Sequence, residues 1–69
     1  MSYEINVNWD DEAGVWYAVC DAIPVALESG SFDALVERVK IAVPELLELN
    51  GKEPKCTLHF VADRKEGVA

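Results

Sequence analysis

One stretch, Ser31 to Gly51 (SFDALVERVKIAVPELLELNG), constrains every fold open to this chain, because it alone is long and periodic enough for a full helix. At about 100° per residue, Phe32, Leu35, Val36, Val39, Val43, Leu46 and Leu47 gather on one face, and Asp33, Glu37, Arg38, Glu45 and Glu48 lie on the others. That apolar stripe must be buried against a sheet. Ser31 is placed to cap the first turn and Asp33 to favour its dipole, while Gly51 supplies the left-handed residue common at a helix end. Pro44 falls inside the pattern, where it removes a hydrogen bond at a cost of about 3 kcal/mol. The apolar phase continues through it, so the sequence predicts a bent helix and not two.

The remaining segments read as strand or turn. Tyr3 to Trp9 alternates apolar at odd positions and polar at even ones, the pattern of a strand with one wet face. Asp10-Asp11-Glu12-Ala13-Gly14 is turn chemistry. Val15 to Cys20 is apolar on both faces and predicts a central second strand. Ile23-Pro24 interrupts it, since Pro24 lacks an amide hydrogen. A short third strand fits Val25 to Glu28. Lys55 to Ala62 forms the fourth, with Cys56, Leu58, Phe60 and Ala62 on one side. Residues 63–69 are expected to fray. The order strand, strand, strand, helix, strand predicts an α+β, two-layer β-β-β-α-β domain over 1–69. One helix covers one sheet face, so the bare face or an open edge is where a second copy would bind.

A chain of 69 residues holds one small core, which below roughly 70–80 residues rarely supplies more than about 3–5 kcal/mol net. Self-association into a homodimer is a natural source of the missing stability. The chain opens without a secretory signal, and no apolar run reaches the roughly 20 residues needed to cross a bilayer. The expected setting is therefore cytoplasmic, with no membrane partner. A disulfide between Cys20 and Cys56 is open to sequence alone, but that setting favours two reduced, packed thiols. A formal charge of -7, from 13 acidic and 6 basic side chains, opposes nucleic-acid binding. It suits a basic partner, or solubility alone.

Chemistry-bearing residues are few. Asp10, Asp11 and Glu12 could meet a cation, but adjacent residues in a turn converge poorly on one ion and lack the spacing of a calcium loop, so a solvated turn is expected. His59, the lone histidine, falls on the outer side of the fourth strand without a nucleophile at a useful spacing. Cys20, Cys56 and His59 do not make a zinc pattern. Trp9, Trp16 and Tyr17 lack the interleaved arginines of a base-stacking surface, which favours core packing. Ile41 projects opposite the core stripe among Ala34, Glu37, Glu45 and Glu48, as either a partner contact or a stray apolar residue. No catalytic residue, metal site or cofactor is expected.

The run Trp9-Asp10-Asp11-Glu12-Ala13-Gly14-Val15-Trp16, then Ile23-Pro24, Leu35-Val36-Glu37-Arg38-Val39 and Pro44-Glu45-Leu46-Leu47-Glu48-Leu49-Asn50-Gly51, resembles the HicB-like domains. The likeness spans nearly the whole chain and points to a branch of short bacterial proteins of unknown function. It implies a truncated ribonuclease H-like fold with sheet order 3-2-1-4. It also implies an antitoxin that holds a HicA-type toxin, a small basic ribonuclease, inactive, in line with complementary charge. The alternative is an orphan HicB-like dimerisation or interaction domain without a toxin. The contacts it suggests are Asp10, Asp11 and Glu12 in the turn and Glu37, Ile41, Glu45 and Glu48 on the helix. Three departures shape the expectation. Asp21 and Val25 replace a proline and glycine usual around the Ile-Pro turn. The middle of strand one, Ile5-Asn6-Val7, lacks the metal-binding carboxylates of a working ribonuclease H. Only seven residues follow Ala62, too few for a DNA-binding module.

Overall fold

A computed structural model describes residues 1–69. Its elements are β1 (Ser2–Asp10), β2 (Val15–Val19), β3 (Ala26–Ser29), α1 (Phe32–Leu49) and β4 (Thr57–Asp63). The four strands form one sheet ordered β3-β2-β1-β4, with β1 antiparallel to β2, β2 antiparallel to β3, and β1 parallel to β4. This is the expected α+β architecture and the expected order. Strand limits move by one or two residues: β2 stops at Val19, β3 runs from Ala26 to Ser29, and β4 from Thr57 to Asp63.

Alternation along β1 assigns the two sheet faces. Tyr3, Ile5 and Val7 are buried beneath the helix, and the register puts Ala18 beside Val7, Leu58 beside Tyr3 and Phe60 beside Ile5. From the helix, Leu35, Val39, Val43 and Leu47 descend at four-residue spacing into this layer, each essentially without solvent contact. Phe32, Val36 and Leu46 flank them half-buried. Ile23 and Val25, on either side of Pro24, also belong to the core. Read from the sequence as a break in the sheet, that loop in fact closes one end of the hydrophobic layer.

Both helix ends follow from local chemistry. Ser31 is extended (φ -114, ψ 128) and its hydroxyl accepts from the amide of Ala34 at 3.3 Å. At the far end Gly51 sits at φ +68, its amide donating to the carbonyl of Glu48 at 3.0 Å and that of Lys52 to Leu47 at 2.8 Å, the paired bonds of a Schellman motif. Between these caps α1 runs unbroken through Pro44. Replacing Ser31 with alanine is expected to cost about 1 kcal/mol, lowering the thermal midpoint by roughly 4–8 °C in a domain of this size. A circular-dichroism melt reads it, and an unchanged midpoint would show that the hydroxyl is dispensable.

The chain has a radius of gyration of 13.1 Å and a longest extent of 50 Å, against about 11 Å expected for a compact domain of this length. A nine-residue β1 and the segment after β4 account for the elongation. Arg64, the first residue of that segment, lies with its guanidinium 3.9 Å from the Trp9 ring centroid and donates to Glu66. Beyond Asp63 there is no regular secondary structure.

Candidate functional site

The acidic hairpin is tied up by its own turn. One oxygen of Asp10 accepts from the amides of Glu12 and Ala13 at 3.1 and 3.2 Å, and the Asp10 carbonyl accepts from Gly14 at 2.8 Å. Gly14 holds φ +67, which a side chain would strain. Asp11 accepts from the indole of Trp9 at 3.2 Å. Only Glu12 of the three carboxylates has no such bond. Nowhere do three or more His, Cys, Asp or Glu side chains gather as a metal would require.

On the helix, Asp33, Glu37, Ile41, Glu45 and Leu49 recur every four residues along an inclined outer ridge that drifts about 40° per step, with Glu48 on the same side as Ile41. Ile41 is 66% exposed and Leu49 82%. Two large apolar side chains thus stand among carboxylates, one of which, Glu37, pairs with Lys40 at 3.2 Å. Leu49 escaped the sequence reading because it borders the cap; its position eight residues beyond Ile41 is the signal that could have found it. The hairpin and this ridge do not converge. Gly30, just before the helix, lies against the hairpin at Gly14, whereas Glu37 to Glu48 spans eleven residues, about 16 Å of helix, along its outer side.

A row of aromatics closes the hairpin end of the core. Trp9 and Trp16, opposite each other across β1 and β2, meet edge to face at 5.3 Å, and Phe32 from the helix abuts Trp16 at 5.2 Å. Arg64 covers the open side of this stack. The two tryptophans are therefore packing residues, as expected. Tyr17 is not: the register puts it on the uncovered sheet face, 39% exposed, with Val19 and Val61. That face is divided, since Asn6 lies between Val19 and Val61, and Asn8 between Tyr17 and Asp63.

The inner side of β4 is the least covered part of the core layer. A groove of about 340 Å³ opens there, between Lys40 and Pro44 of the helix and Cys56, Leu58 and Phe60 of the strand side, closed at one end by Pro54. Sequence reasoning missed it because the apolar stripe reports that the helix is buried, not which strands it lies across. Cys20 and Cys56 are free, half-buried thiols, and His59 stands exposed on the outer side of β4 beside Glu4.

No helix is long and apolar enough to cross a membrane. A family model described as a domain of unknown function, DUF1902, matches residues 2–68. Among solved structures, the crystal structure of the hypothetical protein TTHA1013 from the extremely thermophilic bacterium Thermus thermophilus is similar at a TM-score of 0.83. The two sequences are 35% identical, with 99% of this chain and 100% of that one covered. No curated protein matches the sequence.

Proposed function

The chain belongs to the DUF1902 family, a domain of unknown function, and we propose that it is a non-enzymatic, homodimeric protein-binding module of HicB-like type. Its proposed action is that of an antitoxin, covering a small basic ribonuclease of HicA type. The observation that carries this reading is the outer ridge of α1, where exposed Ile41 and Leu49 stand among Glu37, Glu45 and Glu48 on a chain of charge -7. Apolar anchors rimmed by one sign of charge suit a partner of the opposite sign, because the charges speed and orient encounter while the anchors are desolvated. Of the hairpin carboxylates, Glu12 remains available for the same partner.

The test is co-expression with a HicA-type ribonuclease, followed by a binding titration. The wild-type chain should restore growth. The double variant Ile41→Lys and Glu45→Lys should keep its fold by circular dichroism and bind at least about tenfold more weakly, a loss of roughly 1.4 kcal/mol. No rescue by the wild type, or unchanged binding by the double variant, overturns the reading. The second reading, an orphan interaction domain that associates with itself and has no toxin partner, is favoured by the open groove beside β4.

A further inference from the structure

The sheet has two edges, and they are treated differently. Edge β3 has four residues, follows Pro24, and has its Glu28 carbonyl occupied by the Arg38 guanidinium at 2.6 Å. Short length, an adjacent proline and a capped carbonyl are the ordinary means of blunting an edge. Edge β4 has seven residues and no such cover. Thr57 donates to the carbonyl of Met1 at 2.8 Å, so backbone alternation turns the N–H and C=O of Leu58, Phe60 and Ala62 toward the open side. Beneath those residues lies the apolar groove against Lys40 and Pro44.

We infer that two copies of this chain join through antiparallel pairing of their β4 strands, around a two-fold axis at His59, into one eight-stranded sheet. Asp63 at the end of β4 and Lys55, two residues before its start, select this register. With His59 opposite its own copy, Lys55 of each chain faces Asp63 of the other, and Leu58 faces Phe60 over the groove. Leu58 and Phe60 are the residues whose free backbone groups point outward, so they meet as hydrogen-bonded pairs and His59 as a non-hydrogen-bonded pair. A slide of two residues one way sets Asp63 against Thr57, and the other way sets Lys55 against Val61. Both neighbouring registers therefore lose the Lys55–Asp63 attraction, and a one-residue slide would turn the two helices to opposite faces of the sheet. The bare sheet face is a poorer candidate for the second copy, since Asn6 and Asn8 divide its apolar residues. This inference rests on the self-association proposed above and is independent of the toxin.

Size-exclusion chromatography with light scattering, across a micromolar dilution series, gives the dimer constant. Lys55→Asp and Asp63→Lys should each weaken the dimer on the order of tenfold, since each replaces two attractive cross-strand pairs by two repulsive ones. The exchange of both in one chain should restore it, as should mixing the two single variants. Within one chain the two positions lie eight residues apart, about 26 Å along the strand, so such rescue can only pass between chains. In a Cys20→Ser, Cys56→Ser background, His59→Cys should cross-link under oxidising conditions. At the axis its Cα atoms are about 4.5 Å apart, within disulfide reach. Thr57→Cys should not cross-link, its copies lying about 13 Å apart along the ladder. A monomer at every concentration overturns both the self-association and this interface. A dimer indifferent to the charge exchange, or one in which Thr57→Cys cross-links as readily as His59→Cys, overturns the interface alone.

Discussion

Truncation of Leu35 to alanine is expected to abolish cooperative unfolding at ambient temperature. Leu35 has no solvent-accessible surface and sits at the head of the four residues that α1 sends into the sheet. Removing a buried leucine side chain costs about 2.7–5 kcal/mol, depending on how far the site collapses. A domain of this length has a net stability of about 3–5 kcal/mol from its core. The two quantities are nearly equal, so the variant should be mostly unfolded when dilute. Urea titrations followed by tryptophan fluorescence read this directly, because Trp16 touches Phe32 of the helix and loses that contact when α1 detaches. Self-association couples to the result: at concentrations well above the dimer constant the variant should recover part of its structure, since binding only the folded form stabilises it. A sharp transition with less than about 1 kcal/mol lost in dilute solution would mean that α1 does not clamp the sheet at Leu35.

How Leu35 comes to be central was legible before any coordinates, and the reason is physical. A helical stripe at four-residue spacing and an alternating strand are short-range patterns, each fixed by which side of one element must leave water. They put Leu35, Val39, Val43 and Leu47 on the helix face that meets the sheet and Ile5 and Val7 on the dry face of β1, where the structure has them buried. Sheet order was not available from those patterns; it came from the likeness in the hairpin and the PELLELNG segment, and the structure bears it out. What stayed hidden depends on relations between elements. Ile23 and Val25 flank a proline and read as a break, yet their burial is decided by the helix end that the loop packs beneath. Tyr17 shares a strand with Trp16 but faces the other way, and composition could not say which face the helix would take. Among the proposed contact residues, the carboxylates of Asp10 and Asp11 are spent on local donors, while around Ile41 only Glu37 is paired, with Lys40. Residue type could not separate these two outcomes, because they turn on the hairpin geometry that Gly14 permits.

Pro44 is the residue the sequence could place but not explain, and its replacement by alanine is expected to stabilise the chain by about 2 kcal/mol. A proline inside a helix is roughly 3 kcal/mol less favourable than alanine, and up to about 1 kcal/mol of that is returned through its stiffer unfolded chain. Alanine at this position would also restore the amide that bonds to the carbonyl of Lys40. The expected result is a rise of roughly 8–16 °C in the thermal midpoint at low concentration, where the monomer dominates. A gain of that size would mean that the chain carries the proline at the expense of its own stability. The groove supplies a physical reason: Pro44 and Lys40 form the helix wall facing Cys56, Leu58 and Phe60, at the one strand whose edge is open. A ring at position 44 adds apolar wall without adding a donor, and it leaves the carbonyl of Lys40 without its helical partner on that same side. A fall in the midpoint would show instead that the ring contributes more than about 2 kcal/mol of packing within the monomer. Pro44 would then belong to the core and not to the surface that the second copy meets.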